Sequence, residues 1–124
     1  MNKITIIGNV GQDPELRFTQ GGQANVKMTV ATSRKVKEEW VSTWHTVVAW
    51  GQLAENIAGS VLKGTRVIVS GRLDVREWTD KNDNKKTSYE IAAEEIGISL
   101  KNAMVVVEKN APKEQASAEP EEAF

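Results

Sequence analysis

The 124-residue chain has no cysteine and a single histidine, His45. The first absence excludes a disulfide framework and thiolate chemistry. The second leaves too few ligands for a histidine-based metal site. No glycine-rich loop of the phosphate-cradling kind is present. The carboxylate pairs Glu38-Glu39, Glu94-Glu95 and Glu121-Glu122 fall in segments read as loops or tail, where nothing raises a pKa for acid–base work. Catalysis, a metal and a cofactor are therefore not expected. No apolar run approaches a membrane span, so no membrane partner is expected. The N-terminal residues lead straight into a strand-like pattern rather than a secretory signal, and a reducing cytoplasm is the expected setting.

A strong excess of one charge is also lacking: the net charge is −1. That total hides a division. Residues 1–93 carry 13 Lys and Arg against 10 Asp and Glu, whereas residues 94–124 carry 3 against 7. A mildly basic body with an acidic end is more informative than the sum. With so small an excess, electrostatic work has to come from local clustering.

Aromatic residues make up only 6% of the chain, yet four of them are tryptophan. Trp44 and Trp50 bracket the run Trp44-His45-Thr46-Val47-Val48-Ala49-Trp50. On a strand, residues 44, 46, 48 and 50 share a face, and six residues at about 3.3 Å separate the indoles by roughly 20 Å. Residues 65–78 repeat the theme with charge. Arg66, Arg72, Asp74, Arg76 and Trp78 fall on one face, and Val67, Val69, Leu73 and Val75 on the other. Cations for phosphate beside aromatics for bases suit single-stranded nucleic acid. His45 faces away from the tryptophans.

Strand patterns cover 3–10, 25–33, 44–50, 65–78 and 87–93, with a further short strand expected over 103–108. Gln20-Gly21-Gly22-Gln23 reads as a turn, and Arg34–Ser42 and Thr79–Lys86 as polar loops. Leu53, Ala54, Ile57, Ala58, Val61 and Leu62 recur at helical spacing, predicting a helix over 53–62 that Lys63-Gly64 ends. The fold class is all-β: a five-stranded barrel with one helix between strands 3 and 4, the layout of a Greek-key OB-fold. Residues 1–108 form the domain. Residues 109–124, rich in Ala, Pro, Glu, Gln and Ser, are expected to be a disordered acidic tail.

Gly8-Asn9-Val10-Gly11-Gln12-Asp13-Pro14-Glu15-Leu16-Arg17, Ala31-Thr32-Ser33, the tryptophan run with Gly51, Leu53-Ala54-Glu55, Gly71-Arg72-Leu73 and Glu77-Trp78-Thr79-Asp80 occur in order over residues 2–98. This set resembles the bacterial single-stranded DNA-binding protein family of tetrameric OB-fold type. Glu94–Lys101 followed by Ala103–Glu108 looks closer to the actinobacterial branch, in which an added C-terminal strand clamps subunits. The resemblance implies a homotetramer that wraps single-stranded DNA without sequence preference in replication, recombination and repair. It also implies a bacterial cytoplasmic setting, at the nucleoid or in a phage-infected cell.

On that resemblance Trp44, Trp50 and Trp78 stack on bases, while Trp40 either stacks or covers the barrel mouth. Arg72 and Arg76, with Arg34, Lys35, Lys85 and Lys86 from the two loops, are the expected phosphate contacts. Arg66 serves either phosphate or a subunit interface, and His45 is placed at the interface. Glu119, Glu121, Glu122 and Phe124 are either a solvated end or a hook for replication and repair proteins. The tip departs from the family in having no aspartate and in ending Ala123-Phe124. Two rival readings are an OB-fold protein-interaction module, of the primosome kind, and an RNA-binding domain.

Overall fold

The computed structural model describes residues 2–111. Six strands and one helix follow in the order β1 (Lys3–Val10), β2 (Glu15–Phe18), β3 (Ala24–Val36), β4 (Glu39–Trp50), α1 (Gly51–Ser60), β5 (Arg66–Thr79) and β6 (Lys85–Ile98). Pairing runs β1-β5-β6-β4-β3, and β1 returns to β3, so five strands close into a barrel; β2 adds to the edge of β3. All pairs are antiparallel except β4 with β6. This is the OB-fold expected, with α1 between the third and fourth barrel strands.

Closure depends on period-two alternation. Val26, Val30, Val47, Val67, Val69 and Ile91 point inward and are almost fully buried. Where β1 crosses β3, Gly8 leaves room that a side chain would not. A Cβ there would lie 2.2 Å from the Ala31 carbonyl oxygen. Helix α1 packs Ala54 and Ile57 into the cluster and thereby plugs the barrel end.

Four expectations need correction. The helix begins and ends two residues early, at 51 and 60. Val61 donates the last helical hydrogen bond to the Ile57 carbonyl, at 2.8 Å, but is itself extended and buried, so the chain turns before Lys63-Gly64. Residues 34–42 are not a loop: β3 and β4 continue to a two-residue turn at Lys37-Glu38, both at positive φ (47° and 73°), the hand that suits a twisted hairpin. Similarly β6 spans Lys85–Ile98, which shortens the loop to Asp80–Asn84 and places Glu94-Glu95 in a strand. These ribbons extend past the core, where neither face is buried and the apolar alternation that marks a strand disappears. Finally, residues 103–108 form no strand within the chain. Met104 and Val106 are almost fully exposed there, and among the described residues no strand pairs with this segment.

Candidate nucleic-acid interface

The inward set on β4 (His45, Val47, Ala49) forces the alternate set outward, namely Trp44, Thr46, Val48 and Trp50. Directly paired residues share a face, so the register extends this surface across neighbouring strands. Thr29, Thr46, Glu90 and Asp74 form one row from β3 through β4 and β6 to β5; Lys27, Val48, Ala92 and Arg72 form the next. Trp78 lies on the same side of β5, four residues beyond Asp74. Trp44, Trp50 and Trp78 thus stand on one continuous outer sheet face and are 61%, 49% and 46% exposed.

Each indole is held differently. Trp44 leans on Gly11, whose backbone lies beneath its six-membered ring. Trp50 stands at the strand-to-helix junction as the residue before α1. Trp78 donates its Nε1–H to Ser88 Oγ across the β5–β6 ribbon, at 2.9 Å. Trp40 belongs to β4, not to a loop; it pairs with Lys35 and is 70% exposed.

The register sorts the expected phosphate contacts. Lys35 lies opposite Trp40, Lys86 opposite Trp78, and Arg72 and Arg76 alternate with Asp74 on the tryptophan side. Arg34, paired with Val41, and Lys85, paired with Thr79, fall on the reverse faces of their ribbons. Arg72 is not free: Nε and an Nη donate to the two Asp74 oxygens at 2.8 and 3.1 Å. This hydrogen-bonded pair raises the Arg72 pKa and holds the Asp74 carboxyl below the usual carboxylate range. Arg76 lies 4.0 Å from Glu90. Arg66 reaches Asn9 Oδ1 at 3.4 Å.

His45 is half-buried on the inner side of β4, its Nε2 3.0 Å from Thr32 Oγ1. Glu119, Glu121, Glu122 and Phe124 lie outside the described residues. Sequence reasoning missed Lys27, which stands beside Val48 on the tryptophan face. The buried alternation Val26, Met28, Val30 was the available signal, because it turns Lys27 outward. Gly11 and Ser88, which hold the indoles, carried no such pattern.

A profile described as the Single-strand binding protein family matches residues 1–99. The chain belongs to this family. Among curated relatives it is 41% identical over 113 residues to Single-stranded DNA-binding protein 2 of Streptomyces coelicolor, covering 86% of this chain and 57% of that protein. It is 42% identical over 107 residues to the Single-stranded DNA-binding protein of Paenarthrobacter nicotinovorans, covering 81% and 63%. For the Single-stranded DNA-binding protein of Mycobacterium bovis the identity is 41% over 113 residues, covering 86% and 69%. These relatives support the likeness to the actinobacterial branch of the family. The chain spans less than two thirds of the length of the first two. Among the described residues no helix is long and apolar enough to cross a membrane.

Proposed function

We propose that this member of the single-strand binding protein family binds single-stranded DNA without sequence preference. The carrying observation is the exposure of Trp44, Trp50 and Trp78 on one continuous sheet face. Every base presents a π-face, so stacking contributes roughly 1–3 kcal/mol per base whatever the sequence. Lys27, Lys35, Arg76 and Lys86 border the same face and supply phosphate contacts. The relatives, each named a single-stranded DNA-binding protein, support the same reading.

The wider role follows as part of this proposal. The chain works in replication, recombination and repair in a bacterial cytoplasm, as a homotetramer with His45 near a subunit contact. Residues 1–108 form the binding domain, and 109–124 a tail that recruits partner proteins through Glu119, Glu121, Glu122 and Phe124. It has no catalytic activity of its own. Titration with oligo-dT at two salt concentrations, followed by tryptophan fluorescence, tests the core of this reading. Strong quenching that saturates at a fixed nucleotide count and weakens with salt is expected. An unchanged signal would make the tryptophans structural and favour a protein-interaction module, while stronger quenching by oligo-U would favour RNA.

A further inference from the structure

The centre of the tryptophan face is electrically balanced rather than basic. Arg72 and Asp74 form a two-pronged pair at 2.8 and 3.1 Å, and Arg76 faces Glu90 at 4.0 Å. Asp74 and Glu90 lie directly opposite each other in the β5–β6 register. Like charges placed opposite on adjacent strands destabilise a sheet. Exposed ion pairs return little to stability. The side chains of Arg72 and Asp74 are about half exposed, at 51% and 45%. Stability alone therefore gives little reason for this quartet.

Its geometry suggests a different role. A carboxylate grips a guanidinium through two oxygens, as a phosphodiester does. We infer that Asp74 and Glu90 are built-in competitors of phosphate, holding Arg72 and Arg76 in internal pairs that an incoming strand must open. This deepens the proposed single-strand reading and rests on it. A strand crossing from Trp50 to Trp78 passes over this quartet, because the rows between them hold Arg72 beside Val48 and Asp74 with Glu90 beside Thr46. It exchanges one anionic partner of each arginine for another, so the net electrostatic gain is small and release is fast. The two carboxylates set how tightly the face holds a strand, and the tryptophans contribute the part of the affinity that does not depend on salt.

The test uses the full chain, with oligo-dT affinity measured across a series of salt concentrations. Asp74→Asn is expected to tighten binding about two- to fivefold at low salt, the range that an exposed ion pair spans. It is also expected to steepen the slope of log affinity against log salt by about 0.7, the value for one further phosphate contact on a single strand. Arg72→Gln should then cost more affinity in the Asp74→Asn background than in the natural one. Unchanged or weaker binding by a folded Asp74→Asn protein would overturn the inference, because it would mean that Asp74 positions Arg72 or does nothing. Should that variant melt early, Glu90→Gln, which leaves the two-pronged pair intact, carries the same test through Arg76. If the natural chain binds no oligo-dT at any salt, the single-strand reading itself fails. Binding that is indifferent to both substitutions removes only the competitor role.

Discussion

The six-membered ring of Trp44 lies so close to Gly11 that a methyl group on the glycine would sit 2.4 Å from Cζ3 and 3.0 Å from Cη2. Gly11 is not at positive φ, so its small size rather than its backbone freedom is what the contact uses. The same added atom would meet Thr29 Oγ1 at 2.9 Å. Gly11→Ala must therefore displace the indole from its place on the sheet face. The substitution is expected to reduce fluorescence quenching by oligo-dT and to weaken binding by part of the ~1–3 kcal/mol that a stacked base contributes. The barrel should melt at nearly its original temperature, because the contact lies outside the core.

Trp78 offers a milder version of the same experiment. Its Nε1–H is tied to Ser88 Oγ at 2.9 Å, which fixes the indole over the β5–β6 ribbon. Ser88→Ala removes the tie and keeps the ring. Affinity for oligo-dT should fall less than in Trp78→Ala, and Trp78→Phe, which keeps a flat ring, should retain more binding than Trp78→Ala. Equal losses in all three would show that the aromatic surface is not what the strand uses.

Lys27 gives a purely electrostatic contrast. It stands on the tryptophan face but stacks on nothing, so Lys27→Gln should weaken binding evenly across base compositions. The salt slope should become shallower by about 0.7. Measuring oligo-dT and oligo-dC side by side at three salt concentrations checks both parts.

The Arg72–Asp74 pair makes a prediction about pH. Hydrogen bonding to Arg72 lowers the Asp74 pKa, so any stability the pair contributes is present above the unfolded-state pKa. It is lost progressively as pH falls from there through the depressed folded-state value. Carboxyl carbon chemical shifts followed from neutral to acid pH should show Asp74 titrating below the ordinary aspartate range. In Arg72→Gln the midpoint should return toward that range.

Core and surface separate cleanly at neighbouring positions of β6. Ile91 is inward and 1% exposed, whereas Glu90 faces out beside Thr46. Ile91→Ala should cost about 2–5 kcal/mol of stability, by lost transfer energy and an unfilled cavity. Below its lowered melting temperature, oligo-dT affinity should be unchanged.

Within the barrel the fold was legible in the sequence, because Val67 and Val69, or Val47 and Ala49, alternate against a real core. Legibility stopped where the core stops. Lys35, Trp40 and Val41 sit on a ribbon exposed on both faces, where charged and apolar residues mix without alternation and so resembled a loop. The helix register was recovered through Ala54 and Ile57, but Val61 completes the apolar pattern from outside the helix. At the site, the tryptophans announced themselves through spacing and Lys27 was recoverable from parity. The Asp74 grip on Arg72 was foreshadowed only as a nearby charge. Its two-pronged geometry depends on side-chain torsions that a linear pattern does not encode. The reverse-face positions of Arg34 and Lys85 became visible only once each ribbon's register was known.

Strand β4 behaves as a reading frame of period two: Trp44 and Trp50 are read on the outside and Val47 and Ala49 on the inside. A frame of this kind has no partial error. One residue inserted between Trp44 and Val47, with the pairing beyond it unchanged, carries Trp44 to the inner face, while one placed after Val47 puts Val47 and Trp50 on the same face. Two residues inserted together restore the phase, and a bulge is the only local way to absorb one. Substitutions can therefore tune the face and the core of this strand independently, but changes in its length cannot.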